Sequence, residues 1–487
     1  MADAGGPDDS VSGERQPAAE LSLLDATMIG MGAMIGAGIF VLTGLAAEIA
    51  GPAAIIVFAL NGAVTTFTGL SYAELASAIP KSGGGYAFVR EVFADLGSFI
   101  MGWMLWFAYM IAGTLYALGF APNFLELLHV YGIVPPPEQV APLVITSGIA
   151  IPPEIALAAV AVISLVSINA VSTAASGSLE TVFTIIKVAI LVVFVGFGLS
   201  SPMFVPEAEF QPLFLDNGPF AILPAMGLTF IAFEGYDLIT TVTEEVENPR
   251  QNIPRAIFLS LAATVIIYLA VVTVAIGTLG APGLAEAGEA GIAAAATAFM
   301  PKLPVIGNGG AIIVFGAVFS TLTALNAVVI ASSRVAFSMG REGQLLSSIG
   351  KIHHRFGTPF AAIIASSVVM FLAVVLPTAS ASNVSSLFFL LSFVVVNAAV
   401  IRLRRERPNM RRPYEMPLYP LPAVLGMVLN LVLTGVLVEY LIRTDPLALV
   451  LSASWIGLGL VGYYVTGQRG SPPLETAPEA TPGADDD

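Results

Sequence analysis

Apolar residues run along this chain in long blocks, not at the three-to-four-residue spacing of a soluble amphipathic helix. Bounded by turn or charge signals, twelve blocks are long enough to cross a bilayer, for which about 20 apolar residues suffice. They lie near residues 23–48, 51–79, 97–125, 153–173, 178–202, 218–244, 255–281, 307–340, 359–378, 384–403, 421–442 and 446–466. The pattern predicts an all-α polytopic membrane protein, because a segment crossing lipid must satisfy its own backbone polar groups. Residues 1–20 and 467–487, rich in Pro, Gly, Ala and acid, read as disordered cytoplasmic tails.

Two blocks break their own rule. The first contains Gly30-Met31-Gly32-Ala33-Met34-Ile35-Gly36-Ala37-Gly38-Ile39-Phe40, with four glycines in nine residues. Close packing asks for glycines four apart, which Gly32 and Gly36 supply. Gly30, Gly32, Gly36 and Gly38 fall on several faces, which favours a local unwinding. The sixth block carries Ala232-Phe233-Glu234-Gly235-Tyr236-Asp237, a glycine beside two carboxylates. An interrupted membrane helix frees N–H groups that suit a carboxylate and C=O groups that suit an ammonium. Five blocks separate the two interruptions, as in a transporter built from inverted repeats with its site at mid-membrane. A zwitterionic amino acid matches both kinds of freed group. An amino-acid transporter is therefore the expectation.

Composition narrows the reading. With 56% hydrophobic and 11% charged residues, the chain lies far from the about 25% charged of soluble proteins. The first twenty residues hold no apolar core, so no cleavable signal peptide is expected. There is no cysteine, which excludes disulfides and thiolate chemistry. Of the 19 basic residues, 16 fall on one side when the N-terminus is placed inside, which predicts cytoplasmic termini in a plasma membrane. The net charge of −15 argues against nucleic-acid binding and fits a high-salt prokaryote. His129, His353 and His354 lack zinc-ligand spacing. No phosphate loop, nucleophile elbow or metalloprotease helix occurs, so neither an enzyme nor a bound cofactor is expected.

Several stretches resemble the amino acid–polyamine–organocation superfamily, especially its cationic-amino-acid-transporter-like members. They are Gly30–Gly44; Tyr72-Ala73-Glu74-Leu75 with Ile79 to Tyr86; Phe230–Pro254 with Glu244-Glu245-Val246-Glu247-Asn248-Pro249; and Ala331–Arg341. The resemblance implies a LeuT-type five-plus-five inverted repeat with interrupted helices one and six and two peripheral helices. Its units would be 21–202, 203–404 and, for helices eleven and twelve, 405–466. It also implies that the backbone at Ile35, Gly36, Ala37, Gly38 and Ile39 binds a substrate carboxylate. Carbonyls near Ala232, Phe233 and Glu234 would take the ammonium, with Phe233 as an aromatic lid. Some sodium-independent members carry a lysine on helix five where relatives bind sodium, and Lys187 looks like that lysine.

The residues themselves leave alternatives. Lys187 sits about nine residues into its block, a depth of ~13 Å, beyond the comfortable snorkelling reach of a lysine side chain. An ammonium in lipid costs at least ~2.5–3.5 kcal/mol. Lys187 then reads as a proton carrier, as a structural stand-in for sodium, or as an interfacial lysine. Ser320, Thr321 and Thr323 face it or bond their own backbone. Glu234 takes a proton, attracts a cationic side chain, or caps the unwound segment; Asp237 is expected nearer a solvated cavity. Tyr109 is nominated to wall the pocket, while Trp103, Trp106 and Phe107 read as packing. Glu244, Glu245 and Glu247 read as a solvated inner end, pairing with Arg250 or Arg255, with a gate as the other reading. The coupling ion is expected to be the proton, with sodium not excluded. The rivals are sodium-coupled symport, exchange of amino acids or polyamines, and an amino-acid sensor that moves nothing.

Overall fold

The computed structural model describes residues 21–81, 83–93, 95–146, 149–171, 177–214, 218–302 and 309–466. The two tails, Ser82 and Asp216 lie outside them. Each predicted apolar block is helical over most of its described length. In chain order the helices are α1 Leu23–Ile35, α2 Gly38–Ala50, α3 Ala54–Ala78, α4 Gly84–Val92, α5 Asp95–Val130, α6 Pro153–Val171, α7 Gly177–Leu199, α8 Pro206–Glu209 and α9 Ile222–Thr229. Two 3-10 segments, Phe230–Phe233 and Asp237–Glu245, follow α9. Then come α10 Pro249–Ala287, α11 Gly291–Phe299, α12 Gly309–Arg341, α13 Phe360–Ala373, α14 Thr378–Glu406, α15 Leu421–Thr444 and α16 Pro446–Thr466. A small antiparallel hairpin, β1 Leu143–Thr146 and β2 Ile149–Ile151, tops the α5–α6 connection.

Among the described residues, ten helical stretches are long and apolar enough to cross a membrane, and Phe360–Ala373 is a shorter apolar helix. Two of the ten, Leu23–Ala78 at 56 residues and Pro249–Phe299 at 51, are far longer than the 17–25 residues of one crossing. The first turns back at Gly51–Ala53, where Pro52 opens a 3-10 turn between α2 and α3. This is an all-α polytopic membrane protein. The α5–α12 pair makes the most extensive helix contact; α1 lies against α10, α7 and α12, and α3 against α10. In a bilayer, close approach and interhelical hydrogen bonds hold helices together, since lipid removes much of the hydrophobic drive. One such set joins α3, α14 and α15: the Thr68 hydroxyl accepts from the amides of Asn397 at 3.1 Å and Asn430 at 2.9 Å.

The start of α1 is fixed before the membrane interior begins. Ser22 caps it through a reciprocal bond with Asp25, a capping box that satisfies two otherwise free N–H groups. Just ahead of it, the Leu21 N–H donates to the Glu245 carbonyl and the Glu247 N–H donates to the Leu21 carbonyl, both at 2.9 Å. The entry of the first interrupted helix is thus stitched to the exit of the second. The aromatics expected as packing behave so: Trp103 and Phe107 stack on Trp455 of α16 at 4.5 and 4.4 Å between ring centroids.

Candidate functional site

The first break is short. After Ile35 the chain leaves helical geometry at Gly36 (φ 25°, ψ −131°) and resumes at Gly38. A side chain at Gly36 would meet a left-handed φ and the Ala33 carbonyl 2.8 Å away, which only glycine tolerates cheaply. The leading N–H groups of α2, from Gly38 and Ile39 onward, have no acceptor inside the helix. The second break is longer. The α-helix tightens to 3-10 at Phe230–Phe233, becomes extended at Glu234 (φ −84°, ψ 139°) and turns through Gly235 at φ 142° before a second 3-10 run. Both interruptions expected from the glycines are present.

The two breaks touch. A Cβ at Gly235 would lie 2.5 Å from the Met34 backbone nitrogen, and one at Gly38 would lie 2.6 Å from the Ala232 Cβ. Tyr268 of α10 joins them: its hydroxyl reaches the Met34 carbonyl at 2.6 Å and the Ala232 carbonyl at 2.9 Å. From α12, the Ser320 hydroxyl donates to the Gly36 carbonyl at 2.7 Å. From α14, the Ser386 hydroxyl accepts from the Ile231 N–H at 3.1 Å. The start of α2 and the second break therefore lie directly against each other.

The charges of the second break differ from the expectation. Asp237, expected near solvent, is wholly buried. Its Oδ2 accepts the Tyr109 hydroxyl at 2.5 Å and its Oδ1 accepts the Gly235 N–H at 3.0 Å. The unwound segment folds the carboxylate onto its own backbone, away from water. Tyr109 is thereby brought to the site through Asp237. Glu234 is 3% exposed, and among the described residues neither of its oxygens has a hydrogen-bond partner. The capping reading of Glu234 therefore fails. The Tyr72 and Tyr236 hydroxyls are also buried and unpartnered there, with their rings edge-on at 5.5 Å. The Phe233 ring packs on Tyr268 at 5.2 Å and on Phe58 at 6.0 Å, between α10 and α3. The Ala232 carbonyl, assigned to a ligand ammonium, already accepts the Tyr268 hydroxyl.

Lys187 is fully buried, which excludes the interfacial reading. Its ammonium donates to the Gly32 carbonyl at 3.1 Å and to the Thr323 hydroxyl at 2.8 Å, with the Glu180 carboxylate at 3.9 Å. Of the three hydroxyls considered on α12, Thr323 faces the lysine. Ser320 instead holds the first break, and Thr321 bonds the Ala317 carbonyl of its own helix. Ser320 and Thr323, three residues apart, share the α12 face turned to α1, one turn from each other, while Thr321 points elsewhere. At the inner end, Glu245 pairs with Arg334 at 2.7 Å, not with Arg250 or Arg255. Arg250 reaches the Ser77 carbonyl at 3.5 Å.

Sequence reasoning missed Tyr268, Tyr116 and Glu180. Tyr116, whose Cε1 lies 3.1 Å from where a Gly36 Cβ would be, stands seven residues after Tyr109. That two-turn spacing on one face is the signal that would have found it. No His, Asp or Glu grouping able to hold a metal occurs among the described residues.

A closed pair of broken helices, buried carboxylates without basic partners and a lysine in the membrane interior define a polytopic transporter. The chain belongs to the amino acid permease family, whose sequence profile matches residues 21–460. It is a membrane transporter, not an enzyme. It is 28% identical over 472 residues to the branched-chain amino acid permease BcaP of Bacillus subtilis, covering 95% of this chain and 96% of that one. It is 28% identical to the methylthioribose transporter of the same organism, covering 93% and 94%. It is also 28% identical to human cationic amino acid transporter 4, over 80% of this chain and 60% of that one.

Proposed function

We propose that this permease is a secondary active amino-acid symporter of the cell membrane, driven by protons and working by alternating access. The architecture is read as twelve crossings in a LeuT-type five-plus-five arrangement, 21–202 against 203–404, with 405–466 peripheral and both termini cytoplasmic. In this reading the substrate carboxylate lies on the N–H groups of Gly36 to Ile39, where a helix start favours negative charge. The ammonium lies against the Glu234 carboxylate and the backbone of Ala232 and Phe233, with Tyr109 behind it through Asp237. Amino-acid permease relatives support the substrate class.

The observation that carries the coupling is the seat of Lys187. Its ammonium rests on a helix-break carbonyl and a hydroxyl, the oxygen donors a sodium ion would otherwise want. A positive charge carried by the protein itself occupies that place, and shedding or gaining its proton changes the charge holding α1 to α7. A proton symporter follows more directly than a sodium-coupled one. Proteoliposomes test this. Uptake should be concentrative under an inward proton gradient without sodium, and Lys187→Ala should abolish accumulation. Sodium-dependent uptake, or full accumulation by Lys187→Ala, would reject proton coupling through this residue. A competition panel of all amino acids at several pH values identifies the substrate, and methylthioribose belongs in it because one relative carries that sugar's name.

A further inference from the structure

Lys187 is wholly enclosed, so a proton that leaves it needs a stepping place towards water. Glu180 stands seven residues earlier on α7, about two turns, which puts both side chains on one face. The Glu180 Oε1 lies 3.9 Å from the Lys187 Nζ, and the carboxylate side chain is 18% exposed where the lysine is 0%. Among the described residues Glu180 is the one carboxylate within ion-pair reach of Lys187, and its Oε1 accepts no hydrogen bond.

What lies beyond Glu180 is open space. A cavity of about 330 Å³ is lined by Glu180 and Thr323, and reaches Leu21, Glu245 and Arg334 at the predicted cytoplasmic end. Lys187 itself is not part of its wall. Glu180 and Thr323 therefore stand between the buried ammonium and a volume large enough for many waters, and of the two only the carboxylate can take the proton and hold it, the Thr323 hydroxyl being spent on the Ser320 carbonyl. Gly32 makes the approach possible: a Cβ there would stand 2.6 Å from the Glu180 Oε1 and 3.4 Å from the Lys187 Nζ.

Other polar groups at this level are engaged. Asp25 of α1 accepts the Thr181 hydroxyl at 2.8 Å and the Ser22 hydroxyl at 2.7 Å. The Asn326 side-chain oxygen on α12 accepts the Asn169 amide at 2.7 Å. Arg334 and Glu245 hold each other at the cavity's far end.

We propose that Glu180 is the residue through which Lys187 exchanges its proton with the water of this cavity. The inference rests on the reading of Lys187 as the coupling residue. The proton leaves Nζ for Oε1, giving a neutral amine and a carboxylic acid; the acid then releases it to a cavity water and returns to carboxylate. Loading runs in reverse. The 3.9 Å gap exceeds a hydrogen bond, and a small side-chain rotation or one bridging water closes it.

Glu180→Gln, Glu180→Asp and Lys187→Ala in proteoliposomes separate the possibilities. Two readouts are taken: proton-driven uptake across pH, and substrate counterflow with no proton gradient. Removing a positioned proton carrier costs on the order of 100-fold. Glu180→Gln should therefore slow proton-driven uptake by about that factor and flatten its pH profile, leave counterflow intact, and be partly rescued by Glu180→Asp. If Glu180→Gln keeps the parent rate and pH profile while Lys187→Ala abolishes accumulation, Glu180 is not the carrier although Lys187 remains the coupling residue. Loss of counterflow together with uptake would make Glu180 a structural counter-charge and overturn the proposal. Undiminished proton-driven uptake by Lys187→Ala would remove the coupling reading on which it stands.

Discussion

Two glutamates are equally hidden in this protein and are treated in opposite ways. Glu74 at the inner end of α3 is fully buried, yet both its oxygens are gripped by Arg404 at 2.6 and 2.7 Å. The Met416 N–H adds a third bond at 2.8 Å, and Arg412 stands 3.9 Å away. Glu234 at the second break is buried to a similar degree and holds no partner at all among the described residues. A buried charge with its bonds complete locks elements together; one without them is an open demand that a proton or a cation must meet. The first pins α3 to the end of α14 and the chain leading to α15. The second ties no element to another.

That contrast can be broken by mutation. Arg404→Ala removes the bidentate partner and strands Glu74, which should cost about 3–5 kcal/mol and lower the unfolding temperature in detergent sharply. Combining it with Glu74→Leu should recover much of the loss. Glu234→Gln should do the reverse. The unfolding temperature should hold, because a buried carboxyl without a partner is replaced by a neutral amide of the same shape, while substrate affinity drops by the about 1.5–3 kcal/mol of a charge-assisted hydrogen bond. Equal destabilisation by both variants would erase the distinction between the two glutamates. The smallest effect belongs to Tyr268→Phe, which keeps the ring against Phe233 and loses only the hydroxyl. A stability loss of about 1 kcal/mol, read by thermal unfolding, is expected.

Much of this arrangement was legible along the chain, and the reasons are specific. Long apolar blocks announce helices, and Gly36 and Gly235 announce the breaks because few other residues accept those backbone angles. Lys187 stood out because an ammonium has no ordinary place in such a block. What stayed hidden depends on which side of a helix faces which neighbour. Ser320, Thr321 and Thr323 are interchangeable on paper, and only the roll of α12 decides that Thr323 meets the lysine. Glu180, at the entrance of α7, gains its meaning only when α1 is seen to leave room for it at Gly32. Tyr268 is one aromatic in an apolar run, and its partners Met34 and Ala232 lie 234 and 36 residues away.

The Tyr268 hydroxyl stands between the two chain discontinuities within reach of a carbonyl on each, and its one hydrogen is shared between them. Under the proposed alternating access, an opening toward one aqueous phase would carry the two segments along together or part the hydroxyl from one of the carbonyls. An arriving ammonium, competing for that same carbonyl, would act as the key that releases it.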